Sequence, residues 1–168
     1  MAIEFSRILD AVKIPLALSF VFNLVLYIIS LSTSVLITGS TGMMNGDISS
    51  AASMMGVGII LLLISGANIL GNMVLIAYGG FCAAKKGLPL ISCVVAGLVM
   101  YIVVSIIMFV IGLAASFMLY GTKFLSMYTG QGIEYGWMVP VLIAATCFGG
   151  IVLNSIIGAI GGLIGGAK

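Results

Sequence analysis

The chain has no histidine, and only four acidic and six basic side chains among its 168 residues. Without histidine there is no imidazole to ligate a metal or to act as a general base near neutral pH. Charged residues make up 6% of the chain, whereas a water-soluble domain carries about a quarter, so a soluble globule is excluded. A net charge of +2, with no basic tail and no polar low-complexity tract, gives no argument for nucleic acid, and none is expected as a partner. Cysteine is limited to Cys82, Cys93 and Cys147, with no C-x-x-C spacing, which argues against a zinc set and against an intramolecular disulfide framework. In apolar segments such thiols act as small hydrophobes; Cys82, near a membrane edge, is also a candidate for lipidation.

What the chain has is long hydrophobic runs. Ile14 to Ile37, Gly56 to Phe81, Pro89 to Tyr120 and Met138 to about Gly162 contain no ionisable acid or base. An ion in hydrocarbon costs roughly 2.5 to 3.5 kcal/mol on the insertion scale, so this segregation marks bilayer spans. Each run exceeds the roughly 20 residues that cross about 30 Å as a helix, and a lone strand would leave its backbone groups unpaired in lipid. The sequence therefore predicts an all-α integral membrane protein, a four-helix transmembrane bundle forming a single domain over 1–168. The first run is too long for a signal-peptide core and is read as a retained span.

Charge sets the expected orientation. Arg7 and Lys13 precede the first span, Lys85 and Lys86 fill the turn between the second and third, and Lys168 follows the fourth. Lys123 is the one basic residue of the third connection, which also holds Glu134, and the first connection carries only Asp47. The positive-inside rule then places both ends and the Lys85 turn in the cytoplasm. Short loops and compactness suit a prokaryotic inner membrane. Phe124, Tyr128, Tyr135 and Trp137 in the outer connection suit a headgroup belt, or a binding surface built from the same rings.

Ahead of the first span, Phe5, Ile8, Leu9 and Val12 share one helical arc, with Glu4, Arg7, Asp10 and Lys13 opposite. This pattern predicts a short amphipathic interfacial helix over 1–13, its apolar side in the headgroups, and a bend at Pro15 where the first span begins. A plain extension of that span is the alternative.

Between helices in lipid, small and hydrogen-bonding residues mark contact faces. The first span carries Ser19, Asn23, Tyr27, Ser30 and Ser34 on one face, and the second Gly58, Ser65, Asn68 and Asn72. The third has Gly97, Tyr101, Ser105, Met108 and Gly112. In the fourth, Gly150, Asn154, Gly158, Gly162 and Gly166 recur every fourth residue, with Gly161 and Gly165 beside them. That glycine stripe is a packing seam, either to another helix of the same chain or to a second copy. Ser19, Asn23, Asn68, Asn72, Ser105 and Asn154 form the candidate polar lining, their amides either bonding across helix contacts or facing a hydrated path. A shift of 82 residues superposes Asn72, Ala77, Gly79, Gly80 and Lys86 on Asn154, Ala159, Gly161, Gly162 and Lys168. It suggests two hairpins related as a parallel repeat.

No nucleophile with a base, no acid pair at membrane depth and no metal-ligand set emerges, so no enzyme activity, metal or cofactor is expected. The chain also lacks the cysteine, tryptophan and charge signatures of tetraspanins, claudins and small cationic-drug exporters. Two functional readings follow. The first is a non-catalytic structural or accessory subunit that assembles with itself or other membrane subunits through the glycine stripe. The second is a passive pore or carrier for a small uncharged or zwitterionic solute.

Overall fold

A computed structural model describes residues 5–41, 48–120 and 138–168. Four helices account for nearly all of them: α1 (Phe5–Thr41), α2 (Ile48–Lys85), α3 (Leu90–Tyr120) and α4 (Met138–Ile164). All four are long and apolar enough to cross a membrane, and the chain is a multi-pass helical membrane protein. The aromatic connection with Phe124, Tyr128, Tyr135 and Trp137, like Asp47 and Glu134, lies outside the described residues.

α2 and α3 touch along the centre; α1 lies against both on one side and α4 against both on the other. α1 and α4 make no extended contact among the described residues. A two-fold relating the two hairpins would bring α4 onto α1 as it brings α2 onto α3, so the 82-residue similarity is not carried into the helix layout.

The α2–α3 turn shows why the chain reverses where it does. Gly87, at φ +74°, lets its N–H reach Ala84 O at 2.8 Å and that of Leu88 reach Ala83 O at 3.2 Å, closing a Schellman cap. Leu88 is buried, and Pro89, unable to continue the helix, offers its carbonyl to the N–H groups of Ser92 and Cys93 at the start of α3. α4 ends in the same way: Gly166, at φ +87°, donates to Leu163 O, and Ala167 donates to Gly162 O. The Leu90 N–H, an orphan of the first turn of α3, is taken up by Lys168 O at 3.3 Å. Lys168 and the Lys86 turn thus lie at one end of the bundle.

α1 reaches the same end. Asp10 forms ion pairs with Lys13 and Lys86, each 2.7 Å, and Arg7 donates to Lys86 O at 3.4 Å. A separate interfacial helix over 1–13 is not what the described residues form: α1 runs without a break from Phe5 through Pro15. The apolar arc read from the sequence is real in part, but Ile8, Val12 and Pro15 are buried in the protein core rather than facing outward, while Phe5 and Leu9 remain exposed. Pro15 lacks the N–H that would bond Ala11 O, a loss that a helix packed on its neighbours tolerates.

The buried core clusters at this end, with Ile8, Val12, Ile76, Ala83, Leu88, Cys93 and Ala96 among its members. Toward the opposite end the helices expose large apolar residues, Leu62 at 72% and Phe109 at 66% among them, as lipid-facing surfaces do.

Candidate functional site

Where the packed half of the bundle gives way to the open half, a cavity of about 420 Å³ lies between the helices. Ser19 and Asn23 of α1, Asn68 and Asn72 of α2, Ser105 of α3 and Asn154 of α4 all line it. Every member of the polar lining read from the sequence is therefore in one place. At about 1.5 Å per residue they sit roughly 14 to 26 Å along their helices from the charged end, Asn68 the farthest, within the depth of a 30 Å hydrocarbon layer.

Glycines let the helices close around this site. A Cβ on Gly158 would stand 2.8 Å from Cys93 O and 3.0 Å from Gly97 Cα, and one on Gly97 would stand 2.6 Å from Asn154 O, so α3 and α4 meet backbone to backbone. Gly161 abuts the backbone of Ala77, Gly80 that of Gly158, and Gly165 the side chain of Ala84, which seats the other flank of α4 on α2. The stripe is thus an intramolecular seam from Gly150 to Gly162. Gly166 is not part of it: nothing lies within 4 Å of a Cβ there, and its left-handed φ caps α4. Gly58 and Gly112, placed on contact faces by their spacing, likewise face open space. Bulky side chains fill the gaps left by other glycines, with Tyr101 on Gly150, Met100 on Gly79 and Phe22 on Gly71.

Within the cavity the amides of α1 and α2 form a reciprocal pair. Asn23 Nδ2 donates to Asn72 Oδ1 at 2.7 Å and Asn72 Nδ2 returns a bond to Asn23 Oδ1 at 3.1 Å. Ser19 Oγ adds a 3.4 Å bond to Asn72 Oδ1, and Asn23 also donates to Ser19 O. Asn72 Nδ2 is further shared with Asn68 O at 2.9 Å and with Asn68 Oδ1. Asn154 is different: 8% exposed, it spends its Nδ2 on Gly150 O one turn back, at 2.7 Å.

These bonds leave particular atoms unspent. An amide has two donor hydrogens and an acceptor oxygen. Among the described residues, Asn68 Nδ2, Asn154 Oδ1 and the hydroxyls of Tyr101 and Ser105 have no protein partner, and no polar side-chain atom is both sealed in and unpaired. Their remaining capacity therefore faces accessible space. Tyr101 shares the four-residue spacing that selects Ser105, and that spacing was the signal for it. Met73, one residue past Asn72, and Met100, one residue before Tyr101, carry no pattern that would have found them; with Ile69, Ile76, Val104 and Leu153 they supply the apolar wall. Met108, on the α3 stripe, completes it.

Among the described residues, no carboxylate, ammonium or guanidinium lines the site. Its chemistry is that of hydrogen bonding and apolar contact, on walls that methionines make adaptable. No protein family, no curated protein and no solved structure matches this chain.

Proposed function

We propose that this protein is a passive, non-enzymatic carrier for a small uncharged solute, which it binds in the cavity between α1, α2, α3 and α4. The observation that carries the reading is the convergence of six polar residues from four helices on one mid-membrane cavity in which hydrogen-bonding atoms stay unspent. Polar groups held at membrane depth are costly, and their usual compensation is a partner or a function. Among the described lining residues none is charged, which favours a solute without formal charges over a zwitterion. On the positive-inside rule the Lys86 end faces the cytoplasm, and the short connections favour a prokaryotic inner membrane.

A structural or accessory role was expected from the glycine stripe of α4. Among the described residues, α2 and α3 pack against the flanks of that stripe, which favours a role for it within one chain. The carrier reading is tested in proteoliposomes with a panel running from urea and glycerol to uracil and benzamide. At least one solute should enter faster than into protein-free vesicles, and Asn68→Leu with Asn154→Leu should cut that rate about tenfold or more. Entry no faster than in bare lipid across the panel would overturn it.

A further inference from the structure

The unspent atoms of the cavity differ in kind, and they lie on different helices. Asn68 Oδ1 already accepts from Asn72, whereas both hydrogens of its Nδ2 are unspent, so what α2 chiefly has left to offer is an N–H donor. Asn154 Nδ2 spends one of its two hydrogens on Gly150 O, so α4 keeps one N–H and an acceptor oxygen with no partner at all, on a residue more than nine-tenths buried. A ligand that enters must displace whatever water satisfies these groups. If it brings only an acceptor it leaves Asn154 Oδ1 stranded; if it brings only a donor it strands Asn68 Nδ2. A single hydroxyl oxygen has to serve both helices from one point, whereas a carboxamide presents a carbonyl and an N–H on separate atoms. The remaining wall, with Met73, Met100 and Val104, suits an apolar body attached to that polar end.

Building on the carrier reading, we propose that the cavity is a binding site for small neutral primary carboxamides, with Asn68 Nδ2 donating to the ligand carbonyl and Asn154 Oδ1 accepting from its amide nitrogen. Tyr101 and Ser105 hydroxyls, able to donate or accept, take up the second N–H. Sites that hydrogen-bond a ligand group reject analogues without it far more strongly than apolar pockets reject a missing methylene.

The test is titration calorimetry on the full chain in nanodiscs, against empty nanodiscs, with benzamide, N,N-dimethylbenzamide, methyl benzoate and benzyl alcohol. These four share an aromatic body and differ in what they donate. Benzamide should bind at least tenfold tighter than each of the others. Asn154→Ala should remove most of that advantage while leaving N,N-dimethylbenzamide bound as tightly as before or tighter, an outcome that general loosening of the fold would not produce. The unmodified protein alone decides the main point, so a variant that fails to fold does not protect the proposal. Equal binding of the dimethyl amide, the ester or the alcohol would overturn the carboxamide assignment and leave the carrier reading standing. No binding by any of the four, together with solute entry in the liposome assay, would do the same; no binding and no entry would remove both.

Discussion

Asn23 and Asn72 hold α1 to α2 by two amide hydrogen bonds in opposite directions, 2.7 Å and 3.1 Å long, at the middle of the bundle. Interhelical hydrogen bonds in membrane proteins average ~0.6 kcal/mol each, and a partner left unpaired adds to the loss. Asn72→Leu, which also strands Asn68 and Ser19, should therefore lower stability by about 1 to 2 kcal/mol. A double-mutant cycle of Asn23→Ala and Asn72→Ala, followed by detergent-induced unfolding, should give a coupling near 1 kcal/mol. Additive losses would mean that the pair does not join the helices in the membrane.

The glycines of α2 and α4 divide sharply by what faces them. Gly161→Ala would drive a Cβ into the Ala77 backbone and Gly158→Ala into Cys93 O, where no side chain can rotate away, so each should destabilise by roughly 2 kcal/mol or more through overpacking. Gly66→Ala and Gly149→Ala meet nothing within 4 Å and should be neutral or stabilise by up to about 1 kcal/mol, the helix-propensity difference. Thermal unfolding in detergent ranks the four. Gly158→Leu should likewise cost the fold itself, seen as loss of folded monomer rather than as dissociation of an oligomer; dissociation to a stable monomer would show that the seam lies between copies.

The pattern of these contacts explains what could be read in advance. Four spans, one charged end and the polar layer of Asn23, Asn72, Ser105 and Asn154 were legible, because hydropathy and a spacing near four depend only on the helix that carries them. The partner of the α4 stripe was not. Periodicity places Gly158 and Gly162 on one face, yet a face bare enough for α3 is equally bare for a second copy. The same limit applies to Ile8 and Val12, whose apolar arc fits lipid or protein alike; that protein covers them depends on long-range packing of α1 against the α2–α3 turn. Gly166 continued the stripe by spacing alone, while its role depends on a φ that spacing does not report.

Leu90 N–H on Lys168 O, and Arg7 on Lys86 O, bring three separated stretches of chain to one end. Single cysteines at positions 86 and 168, in a background with Cys82, Cys93 and Cys147 replaced by alanine, should react with an impermeant maleimide from the same face of sealed vesicles. Inside-out vesicles should label both and right-side-out vesicles neither, given the positive-inside orientation. Labelling of the two positions from opposite faces would contradict both the helix count and the packing of Lys168 on α3.

The cap at Gly87 should govern how well α2 and α3 form a hairpin. At φ +74° an L side chain is strained, and an alanine there should cost about 1 kcal/mol although no atom lies within 4 Å of its Cβ. The cost is conformational rather than steric, so residue type and not size should set it: asparagine, which tolerates left-handed backbone, should recover most of the loss that alanine causes, and valine should be worse than either. The measurement is the unfolding midpoint of Gly87→Ala, Gly87→Asn and Gly87→Val in one detergent. An order that instead follows side-chain volume, with asparagine below alanine, would show that crowding and not the Schellman geometry dictates glycine at this turn.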